Sequence, residues 1–114
     1  MCMELIVGKY NIPLEVMETP RQRTIGMMGR HKLDGGMIFL FSDIKEKSFW
    51  MKNCLIPLDI IMLIDNQVTT IHKNCQPCNT TCPRYNGLGN KVLELKGGMC
   101  DKLGIGEGDI LDIR

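Results

Sequence analysis

Two stretches of this chain, Met37-Ile38-Phe39-Leu40-Phe41 and Ile60-Ile61-Met62-Leu63-Ile64, are apolar at every position, one entered through Gly35-Gly36 and the other through Asp59. Runs this short do not fill a buried helix; they suit strands covered on both faces. Glycine and proline divide the rest of the chain into pieces of similar length. Met3–Val7, Leu14–Met17, Ser48–Met51, Gln67–Lys73, Val92–Leu95 and Ile110–Ile113 read as further strands. Asp65-Asn66 supplies a hairpin turn between Asp59–Ile64 and Gln67–Lys73. The reading is mainly β: a small β-barrel or sandwich of about eight short strands, with one short helix and a helical turn.

The helix is signalled by Thr19 as N-cap and Pro20 at the first helical position. It is expected to run through Arg21–Met28 and to close at Gly29, with Gly26 a weak point inside it. Met99–Leu103 forms the helical turn, and Gly104 suits a left-handed cap. The segment from Asn74 to about Asn90 reads as a long cysteine-containing loop.

A chain of 114 residues fits one domain, taken here as 1–114. Fourteen basic and thirteen acidic residues are interspersed, so the charge balance does not ask for a polyanion. Arg21, Arg23, Arg30, His31 and Lys32 do cluster around the helix, yet acids stand nearby and aromatics for base stacking are few. Nucleic acid is therefore disfavoured. No apolar run approaches the length that spans a bilayer, and the N-terminus lacks the pattern of an export signal. A cytoplasmic protein with no membrane association is expected, and in that compartment the six cysteines would be free.

The chain's only tryptophan lies in Phe49-Trp50-Met51-Lys52-Asn53, where polar groups interrupt core-like sequence. In a strand, Phe49 and Met51 would face the core, while Trp50 and Lys52 share the other side as a ligand platform or a packed corner. Asp59 has the parity of Ile61 and Leu63, on a face that reads as buried. It needs backbone N–H groups or a cation, with Lys52 the favoured partner.

With these segments in view, the chain resembles the domain of unknown function 192 family of small prokaryotic and phage proteins. The resemblance rests on Thr19-Pro20, Gly26-Met27-Met28-Gly29-Arg30, Gly36–Phe41, Phe49–Ile60, Pro77-Cys78, Cys82-Pro83-Arg84-Tyr85, Val92–Leu95, Leu103-Gly104-Ile105 and Gly108-Asp109. It implies a β-barrel-like fold and no assigned activity. Cys54 stands where the family usually has threonine. Members often carry export signals, which this N-terminus does not show.

The chemistry-bearing residues allow several readings. His72, Cys75, Cys78 and Cys82 include a C-x2-C pair, as in a zinc knuckle, but all four come from one short segment. Cys78 and Cys82 can instead form a local bridge if the loop geometry permits, with free thiols the default. The two histidines, His31 and His72, sit in no nucleophile signature, the carboxylates are scattered, and Glu94 lies in a strand. The preferred reading is a non-catalytic binding or accessory module that uses no cofactor. Its small-molecule or protein ligand would sit near Trp50, Lys52, Asn53 and Asp59, with Arg21, Arg23 and Arg30 as a wall. The alternatives are a structural protein-interaction domain, a thiol-dependent enzyme and a metal-binding cysteine loop.

Overall fold

The computed structural model describes residues 2–114. Seven strands form one sheet: β1 (Met3–Val7), β2 (Tyr10–Met17), β3 (Gly36–Phe49), β4 (Leu58–Ile64), β5 (Gln67–Cys75), β6 (Tyr85–Lys96) and β7 (Asp112–Ile113). Their spatial order is β5-β4-β6-β3-β2-β1-β7. Among the described strands only β2 and β3 pair in parallel, and the crossover between them carries helix α1 (Pro20–Ile25). A second helix, α2 (Met99–Leu103), follows β6.

The sheet curls far enough for its edges to meet at one end. Backbone bonds of 2.8 Å run from Val68 N–H to Asp109 C=O, from Gly108 N–H to Val68 C=O and from Leu111 N–H to Asn66 C=O. They stitch the start of β5 to the segment before β7, giving a half-barrel with one clasped end. Among the described residues no helix is long and apolar enough to cross a membrane.

The two-sided apolar runs become the central strands. Ile38, Ile61, Leu63, Leu93 and Leu95 pack inside the curl with Leu5, Leu14 and Cys100. Met37, Phe39, Ile60, Met62 and Val92 face the other way, under Met27, Leu33, Met51 and Cys54. Both faces are thus buried along β4, over Gly36–Phe39 of β3 and over Val92–Leu95 of β6, as the composition of the runs requires.

The strand count is seven because Met37–Phe41 and Ser48–Met51 are not separate. One strand of 14 residues, β3, takes in the charged Ser42–Lys47 stretch through a register shift between Leu40 and Lys45. Its far half pairs with Tyr85–Gly89, so much of the expected loop belongs to β6. Two glycines permit this. A Cβ on Gly89 would meet the Leu63 carbonyl oxygen at 2.5 Å, and one on Gly87 would meet Met62 Cγ at 2.9 Å. At its other end, β2 begins earlier than expected, at Tyr10, and the final strand shrinks to Asp112–Ile113.

Helix α1 starts as expected, with a reciprocal capping box: Gln22 N–H donates to Thr19 Oγ1 at 3.1 Å, and Thr19 N–H donates to Gln22 Oε1 at 3.0 Å. It stops three residues sooner than the expected Met28. Gly26, at φ +45°, turns the chain against the Phe39 ring, 3.1 Å from where a Cβ would stand. Gly104 does take the left-handed cap after α2.

Candidate functional site

An open cleft of about 450 Å³ lies between α1 with the turn after it, the far half of β3, and the Trp50–Cys54 corner. Its apolar walls include Phe39, Phe41, Phe49 and Met28. Phe49 meets Phe39 and Phe41 edge-on, with centroids 5.0 and 6.4 Å apart. Arg23, Lys47, Lys52 and Arg84 also line the cleft, together with Glu46 and Glu94.

The four cations are not equivalent. Arg23 donates to the backbone carbonyls of Leu40, at 3.0 Å, and Glu18. Lys47 is bonded to Asp43 at 2.7 Å, and both Arg23 and Lys47 lie over the Phe41 ring. Lys52 and Arg84 have no carboxylate within ion-pair distance among the described residues, yet both are held by Trp50. Lys52 Nζ lies 5.1 Å and the Arg84 guanidinium carbon 4.0 Å from its ring centroid. The indole therefore orients two available positive charges at the cleft through its electron-rich face.

The corner explains the polar interruption in the sequence. Asn53 adopts φ +62°, a left-handed conformation that asparagine tolerates better than most residues. Its N–H donates to Cys78 C=O at 3.0 Å, and its C=O accepts from Gly29 N–H at 2.9 Å. One turn thus ties the cysteine loop and the segment after α1 to the wall bearing Trp50 and Lys52. The Asn53 side chain is not part of the cleft lining.

Three other candidates also lie apart from it. Asp59 is fully buried on the opposite face of the sheet and does not pair with Lys52. Its carboxylate accepts N–H bonds from Asn74 (2.8 Å), Gly98 (3.2 Å) and Cys100 (2.8 Å), the backbone alternative to a cation. The reason is parity: Asp59 points with Ile61 towards α2, while the corner covers the face of Ile60. Arg30 is committed to Glu15 through two bonds of 2.6 and 2.7 Å, which hold the Glu15 carboxyl below its usual range. Arg21 is exposed on α1 outside the cleft lining. Of the expected residues, Trp50, Lys52 and Arg23 are brought together.

The four candidate metal ligands do not converge. Cys78 and Cys82 form a disulfide with Cα atoms 5.6 Å apart, in place of the free thiols expected by default. Cys75 is buried and donates to the His72 carbonyl, and His72 Nε2 is 2.8 Å from the Asn86 carbonyl oxygen. Among the described residues no group of three or more His, Cys, Asp or Glu side chains is arranged to hold a metal ion. Burial pushes the Cys54 and Cys75 thiols up to about 11 and Cys100 to about 12, the reverse of what an activated thiolate requires.

Arg84 and Glu94 are among the cleft residues that were not candidates from the sequence. Arg84 arrives because Phe49 pairs with Tyr85, a register that local sequence does not announce. Glu94 reads as one more strand residue, yet its cross-strand partners are Met37 and Ile60, and it is 4% exposed. Its Oε1 has no hydrogen-bond partner, and burial pushes the carboxyl up to about 8.

The chain is thus a curled β half-barrel, with an aromatic, cation-rimmed cleft on one face of its sheet. The chain belongs to the domain of unknown function 192 family, described as an uncharacterized ACR, whose profile matches residues 4–113. It is similar to a solved structure from Sinorhizobium meliloti 1021 described as a candidate transcription regulator: 32% identity, 97% of this chain and 91% of that one, TM-score 0.84. A protein of unknown function from Novosphingobium aromaticivorans DSM 12444 is similar at 33% identity over 98% of this chain and 84% of its own, TM-score 0.83. No curated protein matches the sequence.

Proposed function

We propose that the chain is a non-catalytic binding module whose cleft takes a small anionic ligand with an apolar body. One observation carries the reading: Lys52 and Arg84, without acidic partners, are held by Trp50 beside a cleft walled by phenylalanines. Such a site attracts negative charge and buries apolar surface together. Burial holds Cys54, the thiol that lines the cleft, neutral, which speaks against thiol catalysis there. A nucleic-acid role, suggested by the description of the S. meliloti relative, has less support here. Arg30 and Lys32 are paired with Glu15 and Asp34, and Arg23 is bonded to carbonyls. For surroundings we keep the aqueous cytoplasm, where the Cys78–Cys82 bridge would be open to reduction.

The test uses anilinonaphthalene sulfonate, an aromatic anion. Its binding should quench Trp50, and calorimetry should show affinity reduced about tenfold or more by Lys52→Ala and by Trp50→Ala, with both variants still folded. Unchanged affinity in both would remove the cleft from consideration. Loss of stability without loss of binding would instead make Trp50 and Lys52 a structural lock.

A further inference from the structure

Glu94 is where the cleft departs from an ordinary apolar pocket with a charged rim. Its side chain is almost wholly buried on the face of Met37 and Ile60, it lines the cleft, and Oε1 has no protein partner. Buried polar groups are ordinarily bonded, and a solitary carboxyl among such neighbours is costly. Asp59, one strand away on the opposite face, shows the usual solution, with three backbone donors gathered on its oxygens. No such provision is made for Glu94.

We propose, building on the binding reading above, that Glu94 is the inner contact for the cleft's ligand. That ligand is a flat anionic heterocycle, presenting an amide-like edge to Glu94 and its negative group to Lys52 and Arg84. A neutral carboxyl offers an O–H donor beside a C=O acceptor, which a cyclic amide matches with its own C=O and N–H. Burial holds Glu94 neutral over most of the physiological range, with its carboxyl raised to about 8. The charged and titratable groups facing this region are Cys54 on the covering corner, Cys75 on β5, Arg23 on α1 and Glu46 and Lys47 on β3. Tyr85 on β6, beside Cys75, packs on the same cluster, and Lys52 and Arg84 stand at the rim. Cys54 and Cys75, both raised to about 11, remain protonated where Glu94 titrates. A cationic amine, the other natural partner of a carboxylate, would have to pass Lys52 and Arg84. A flat ring suits the phenylalanine walls.

Three probes separate the parts of this ligand. Orotate joins a cyclic amide edge to a carboxylate, benzoate keeps the flat ring and charge without the edge, and uracil keeps the edge without the charge. Calorimetry and the Trp50 indole N–H resonance should show orotate binding about tenfold or more tighter than either fragment. Glu94→Gln, which retains a donor and an acceptor, should hold orotate within about threefold. Glu94→Leu should bring orotate down to the benzoate level while leaving benzoate unchanged. Orotate affinity should also weaken above about pH 8 in the native protein and not in Glu94→Gln.

Equal affinity for benzoate and orotate, or a Gln variant as defective as the Leu variant, would overturn the assignment. So would binding that tightens as Glu94 ionises. If anilinonaphthalene sulfonate still binds through Trp50 while orotate shows no preference, the heterocycle falls and the binding module stands. If neither compound perturbs Trp50, both fall.

Discussion

Glu94 and Asp59 are buried acids on neighbouring strands, and their environments drive them to opposite solutions. Asp59 is satisfied by three backbone N–H groups, whereas Glu94 is left among apolar side chains and avoids charge by holding its proton. The consequence for stability follows from linkage. In the unfolded chain Glu94 ionises near its ordinary value of 4.5, and in the folded chain near about 8. Its contribution to stability is therefore complete below the lower value and is lost as pH rises towards the higher one, by about 1.4 kcal/mol per unit. Glu94→Gln should flatten the melting-temperature profile between about pH 5 and pH 8 and leave the variant the more stable protein at the upper end. Parallel profiles from thermal melts would show that Glu94 is ionised in the fold. Residue type alone does not separate these acids: both sit in apolar strands, and only the neighbours across the sheet decide which one finds donors.

The elements read most easily were those that carry their own signals. Thr19-Pro20 begins α1, Gly104 caps α2, and Asp65-Asn66 turns β4 into β5. The ribbon formed by the far halves of β3 and β6 carries none. Ser42–Lys47 is charged on both faces, so its side chains offer no period-two pattern, and its strand character comes from pairing with the glycine-bearing Tyr85–Gly89. This ribbon sets Arg84 against Trp50, so the cleft depends on the part of the sheet that sequence describes least. The Cys78–Cys82 bridge closes only a short loop, and its entropic contribution should be at most about 2 kcal/mol. Yet that loop is bonded to the corner through Cys78 and Asn53. Cys82→Ser, like reduction, should lower stability in urea unfolding by no more than this amount while weakening anilinonaphthalene sulfonate binding through a looser Arg84. A much larger stability loss would mean that the bridge supports the fold and not merely the cleft wall.

At the scale of the molecule, the half-barrel depends on contacts between distant parts of the chain. The clasp joins Asn66–Val68 to Gly108–Leu111, and α2 closes the curl by placing Cys100 in its core. If the sheet opens only when the whole molecule unfolds, the amides of Val68, Gly108 and Leu111 should exchange with solvent as slowly as that of Leu93 on central β6. Exchange much faster at the clasp, measured by native-state hydrogen exchange, would show that the edges part while the central strands stay paired.

Local sequence determined the β character, the helix start, the tight turns and the burial of both faces of the central strands. Those properties follow from side-chain periodicity and from backbone preferences acting over a few residues. Tertiary structure alone decided that Asp59 turns away from Trp50, that Arg84 joins it and that Glu94 lines the cleft without a partner. Each of these depends on which residues, far apart in the chain, become neighbours when the sheet curls, and no short-range preference encodes that choice.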